Sequence, residues 1–105
     1  MSEEVSKLER FSDPALFILV SLAGGEKHGY AMMEDIEATS GVRLGPGTLY
    51  GALSRLERRG LVAPLVSEER RKPYRITAAG ASALEARLRR IEDFARAGLG
   101  RLATA

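Results

Sequence analysis

The chain has no cysteine, no tryptophan and a single histidine. Without cysteine there is no disulfide framework and no thiolate metal site. His28 has no second His or Cys to complete a ligand set, so it reads as a surface or helix-capping imidazole and no metal is expected. Catalysis needs reactive groups that converge, and the chain has neither a phosphate loop nor an HExxH spacing. It is therefore not expected to be an enzyme or to carry a cofactor. Long apolar runs are missing as well. The longest, Ala15 to Val20, is far too short to cross a bilayer. The N-terminal MSEEVSKLER lacks the cationic start and apolar core of a secretory signal, so a cytoplasmic location with no membrane partner is expected.

What is present describes a small folded domain. Hydrophobic residues make up 45% and charged residues 29% of 105 positions, a size at which dimerisation often completes the burial of apolar surface. The net charge of +2 conceals a division along the chain. Residues 1–42 hold three Lys/Arg against eight Asp/Glu, residues 43–75 hold eight against three, and residues 76–105 hold five against three. The middle third is thus a basic block of net +5, the electrostatic footprint of a polyanion partner.

Capping signals and periodicity divide the chain into elements. Ser12-Asp13-Pro14 is a helix start, with a polar cap and a proline where its missing N–H costs nothing. Leu16, Phe17, Ile18, Leu19, Val20 and Leu22 surround most of that helix, predicting a central helix that ends at Gly24-Gly25. Lys27-His28-Gly29-Tyr30 opens a second helix with Ala31, Met32, Met33 and Ile36 inward and Glu34, Asp35 and Glu37 outside, stopping at Ser40-Gly41. A third helix begins near Pro46, buries Leu49, Ala52, Leu53 and Leu56, and ends where Gly60 takes a left-handed conformation. Leu61–Ser67 and Tyr74–Thr77 read as a two-stranded hairpin whose tip carries Arg70, Arg71 and Lys72. From Thr77 a last helix carries Leu84, Leu88, Ile91, Ala95 and Leu102 near a 4-3 spacing, with Phe94 and Leu99 beside them and Gly98 and Gly100 weakening its final turns. So little chain remains to cover this seam that it predicts a second copy of the protein.

The expected fold is mostly α with a small β-hairpin: a winged helix-turn-helix over residues 1–80 and a C-terminal dimerisation helix over residues 81–105, in one compact unit. In such folds the third helix lies in the DNA major groove and the hairpin touches the backbone beside it. Gly47 and Gly51 leave no side chain to hold the helix off the groove, and the free N–H groups of its first turn suit phosphate. The outward face then nominates Thr48, Tyr50, Ser54, Arg55 and Arg58 as contacts, with Arg70, Arg71 and Lys72 on the backbone.

Three blocks, HGY at 28–30, GTLYGALSRLERRGLV at 47–62 and YRITAAG at 74–80, resemble the PadR family of bacterial transcriptional regulators. The family pattern reads HGY, GTLYPxLxRLExxGLI and YxLTxxG in that order, and the likeness spans roughly residues 14–84. The resemblance implies a winged helix-turn-helix followed by a dimerisation helix, of the short type with a single terminal helix. It further implies a repressor that binds an inverted repeat in double-stranded DNA as a homodimer and is released by a small-molecule effector. Tyr30 of the HGY block joins the DNA-contact set on this basis, and Thr48, Tyr50 and Ser54 in the N-terminal half of the third helix rank ahead of Arg58 for base choice. Gly51 stands where the family commonly has proline, the wing loop is short and lacks the customary glycine, and no tryptophan offers the stacking platform that some relatives use for flat ligands.

A rival reading is a winged helix used as a protein-interaction adaptor, docking through the acidic second helix and the terminal helix without touching DNA. The +5 charge over residues 43–75 separates the two, because an adaptor has no use for it on the recognition helix and wing.

Overall fold

In a computed structural model the described residues are 13–68 and 70–105. MSEEVSKLER, Ser12 and Glu69 of the wing loop lie outside them. Among the described residues, four helices and three short strands follow in the order α1 Pro14–Ala23, β1 Lys27–His28, α2 Gly29–Ser40, α3 Pro46–Arg58, β2 Val62–Pro64, β3 Pro73–Ile76 and α4 Ala78–Thr104.

Three of the four helices, α1, α2 and α4, start on a side-chain cap. Asp13 Oδ1 accepts from the Ala15 amide at 3.0 Å, with Pro14 in the first turn of α1. His28 Nδ1 accepts from the Ala31 amide at 3.4 Å, so the lone imidazole is a helix cap. Thr77 Oγ1 accepts from the Gly80 amide at 3.0 Å and donates to the Gly60 carbonyl at 2.7 Å, pinning the start of α4 to the turn after α3. That turn needs Gly60, whose φ of +74° lies in the left-handed region.

The core is formed by Ile18, Leu19 and Leu22 of α1, Met32 and Ile36 of α2, Leu44, the four inward residues Leu49, Ala52, Leu53 and Leu56 of α3, Val62 and Leu84. Helix α1 is central: α2, α3, α4 and β3 all pack on it. Asp35 departs from the outward position expected of it. Its carboxylate is half-buried and accepts from Ser21 Oγ at 2.6 Å, while Lys27 Nζ stands 3.9 Å away and donates to the Ser21 carbonyl at 2.5 Å. Ser21 is buried at the end of α1, and a buried hydroxyl without a partner is costly, so Asp35 turns inward to satisfy it.

The sheet differs from the expected two-stranded hairpin. Strands β2 and β3 pair antiparallel with Val62 opposite Ile76 and Pro64 opposite Tyr74, but β1 adds a third strand on the far side of β3. Lys27 lies opposite Tyr74 and His28 opposite Pro73. A strand of two residues has no alternation to detect, and its only support is a partner distant in sequence. The hairpin strands are also shorter than expected, since Pro64 and Pro73 lack the amides that would extend the ladder; one further bond, Leu65 N–H to the Pro73 carbonyl at 2.8 Å, closes it.

Helix α4 runs unbroken through Gly98 and Gly100 for 27 residues, about 40 Å. Only Gly80 and Leu84 of it are buried. Gly80 lies so close to the Leu61 carbonyl and the Ile76 side chain that a Cβ there would collide with both. Beyond Leu84 the helix projects from the body, braced by Glu85–Arg89 and Glu92–Arg96 ion pairs at 2.9 and 3.6 Å. Among the described residues no helix is long and apolar enough to cross a membrane.

Candidate nucleic-acid interface

Helix α3 buries its leucine stripe and turns its other face to solvent. Gly47, Thr48, Tyr50, Ser54, Arg55 and Arg58 are all exposed there. Its N-cap is Gly45, which offers no side-chain acceptor, and the first i to i−4 bond is the one from the Leu49 amide to the Gly45 carbonyl at 3.0 Å. The amides of Gly47 and Thr48 therefore precede the helical ladder at the positive end of the macrodipole, open to an anion. Arg55 and Arg58 complement the other end. A Cβ on Gly51 would meet only the Arg55 guanidinium, at an ordinary contact distance of 3.7 Å.

Arg70, Arg71 and Lys72 are exposed in the loop that leads into β3. Together with Tyr30 and Tyr50 they line a cleft of about 310 Å³ between the wing and the starts of α2 and α3, whose remaining walls are His28, Gly29 and Tyr74. The Arg71 guanidinium stands 6.0 Å from the centre of the Tyr30 ring, at the outer limit of a cation–π contact. The structure thus gathers five of the proposed contact residues, Tyr30, Tyr50, Arg70, Arg71 and Lys72, around one opening. Gly47, Thr48, Ser54, Arg55 and Arg58 lie outside it, along the exposed face of α3.

Tyr50 is 48% exposed and Tyr30 56%, so neither belongs to the core. Tyr74 was missed as a lining residue. Burial pushes its phenol above the usual value of 10.0, and the nearby Glu57 carboxylate and Tyr50 add to the rise. Its only sequence signal is its place at the head of the YRITAAG block, and pairing across three strands brings it to the cleft.

The proposed dimer residues divide. Leu84 is buried within the protomer and belongs to its core, because the first turns of α4 lie against the body of the domain. Leu88 and Ile91 are about two-fifths exposed, and Ala95 and Leu102 are exposed together with Phe94 and Leu99.

The Transcriptional regulator PadR-like family model matches residues 18–86. Transcriptional regulator Rv3488 of Mycobacterium tuberculosis is 43% identical over 91 residues, covering 81% of each chain. A 37.1 kDa protein of transposon Tn4556 from Streptomyces fradiae is 50% identical over 76 residues, or 72% of this chain, which spans only 22% of that relative's length. Among solved structures, a PadR family transcriptional regulator from Eggerthella lenta superposes with a TM-score of 0.74 at 27% identity, over 94% of this chain and 88% of its own. With a winged helix-turn-helix exposing a basic face and a family match across most of its folded body, this chain belongs to the PadR-like family of DNA-binding transcriptional regulators.

Proposed function

We propose that the chain acts as a repressor, binding an inverted-repeat operator as a homodimer and released from it by a small-molecule effector. The observation that carries the reading is the shared exposure of two surfaces: the outward face of α3, and the wing cations that meet Tyr30 and Tyr50 in one cleft. A helix laid in the major groove through Thr48, Tyr50, Ser54, Arg55 and Arg58 leaves Arg70, Arg71 and Lys72 free for the adjoining phosphates. The two sets then divide the work, with base edges read by α3 and register held by the wing.

Dimerisation is supported by the projecting half of α4. Leu88, Ile91, Phe94, Leu99 and Leu102 are large apolar side chains exposed along it, and a second copy of the helix would cover them. A two-fold dimer built on this helix presents two copies of α3 to DNA, and a symmetric reader matches an inverted repeat. Release by an effector rests on the family resemblance.

Selection of binding sites from random duplexes tests the reading. Enrichment of an inverted repeat supports it. An absence of any enriched sequence overturns it in favour of an adaptor that docks on proteins.

A further inference from the structure

The outward-facing helix α3 and the projecting helix α4 meet at one turn. Helix α3 ends in two bonds that wrap back onto it, from the Gly60 amide to the Glu57 carbonyl and from the Leu61 amide to the Leu56 carbonyl, both at 3.0 Å. The carbonyls of the same two residues face the start of α4. That of Gly60 accepts from Thr77 Oγ1 at 2.7 Å, and that of Leu61 accepts from the Thr77 amide at 3.1 Å. Thr77 Oγ1 in turn accepts from the Gly80 amide at 3.0 Å. Gly80 is buried against the Leu61 carbonyl, with no room for a Cβ between them. Residues Gly60 and Leu61 are thus gripped by α3 through their amides and by α4 through their carbonyls.

Beyond this joint, α4 is held to the body through Leu84, the one other buried residue of the helix. A single seated side chain acts as a pivot, and the contacts of Thr77 and Gly80 supply the second fixed point that gives the helix its direction. The apolar residues from Leu88 to Leu102 lie about 12 to 33 Å beyond Gly80 along the axis, at 1.5 Å per residue. A tilt of about 10° at the joint displaces a point about 25 Å along the helix by about 4 Å, more than the rise of one base pair, about 3.4 Å. In a two-fold dimer both protomers contribute that displacement.

We propose that Thr77 and Gly80 are positioning residues for operator choice: their contacts with Gly60 and Leu61 set the angle between α3 and α4, and with it the half-site spacing that the dimer accepts. This rests on the dimeric DNA-binding reading above. Neither residue belongs to the DNA-contact set, so each acts only through the placement of α3.

The lack of cysteine makes the spacing measurable. A cysteine in place of Glu57, exposed on α3, carries one spin label per protomer, and pulsed dipolar spectroscopy of the full-length dimer reads the distance between the two copies of α3 without DNA. In parallel, sites are selected from random duplexes by the unlabelled protein. The expected wild-type result is one narrow distance distribution and one preferred spacer. Thr77→Val keeps the shape of the side chain and removes the hydroxyl; it should broaden the distance distribution and admit spacers one base pair longer or shorter. Thr77→Ser should restore both. Gly80→Ala drives a Cβ into backbone that cannot swing aside and should move the mean distance by about 4 Å or more; if it does not fold, Thr77→Val carries the test. A broad wild-type distribution, or a Thr77→Val dimer with wild-type distance and spacer, overturns the joint while the operator reading stands. A distance that answers to the variants with no enriched inverted repeat keeps the joint and overturns the operator reading. Absence of any inter-label distance overturns the dimer, and the joint's role falls with it.

Discussion

The phenol of Tyr50 occupies the space that a side chain on residue 29 would fill: a Cβ built on Gly29 collides with the ring and hydroxyl of Tyr50. The first residue of α2 is therefore bare so that a residue from α3 can lie across it. Gly29 is buried and Tyr50 is 48% exposed, so the tyrosine is anchored on one side and presented to solvent on the other.

Gly29→Ala should consequently impair binding more than folding. The atoms in the way are the far end of a side chain that can swing outward, so the stability loss is expected at the low end for overpacking, about 1 kcal/mol. Tyr50 is displaced from its place beside the wing, and duplex affinity should fall several-fold. Melting temperature and affinity measured on one preparation check this; unchanged affinity with lowered stability would show that Tyr50 has no role at the DNA surface.

Tyr50→Ala removes the phenol outright. Operator affinity is expected to drop tenfold or more, on the order of 1.4 kcal/mol, with only a small change in melting temperature because half the ring is already in water. A large fall in melting temperature, with binding lost only in proportion to the unfolded fraction, would assign the ring to packing instead.

Replacing Arg70, Arg71 and Lys72 with alanine should weaken binding to all duplexes alike. Phosphate contacts carry no sequence information, and each one lost should reduce the salt dependence of log affinity by about 0.9. Affinity measured across a salt series decides it. A wild-type slope in the triple variant means that the wing does not touch DNA.

Two leucines on α4 should behave differently. Leu88→Asp places a charge on the projecting, half-exposed part of the helix and is expected to give a folded monomer by light scattering. Leu84→Asp buries a charge in the core and should cost the fold itself, seen as loss of the cooperative melting transition. A Leu88→Asp protein with the same mass as wild type would move the dimer contact elsewhere.

Tyr74 gives a pH dependence with a defined sign. Its folded pKa lies above the usual 10.0, so the folded state holds the phenolic proton more tightly than the unfolded chain. The stabilisation is complete below the unfolded value and is lost as pH rises through the folded one. Absorbance titration of the phenolate band should show a late-titrating component that Tyr74→Phe removes.

Local chemistry determined much of this protein before any tertiary contact was considered. Asp13-Pro14, Thr77 and Gly60 mark helix boundaries because capping and left-handed backbone depend on residues adjacent in sequence. The spacing of Leu49, Leu53 and Leu56 identifies the buried stripe of α3, and hence its outward face, because helical periodicity is a property of the segment alone. Tertiary structure decided what covers each face and what meets across it. The repeat that joins Leu84 to Leu88 and Ile91 shows that they share one side of α4, yet packing of the first turns against the body assigns Leu84 to the core and leaves the others outside. Strand β1 exists only because β3 offers it an edge. The cleft of Tyr30, Tyr50 and Tyr74 depends on three elements far apart in the chain, and neither propensity nor periodicity extends beyond the segment that carries it.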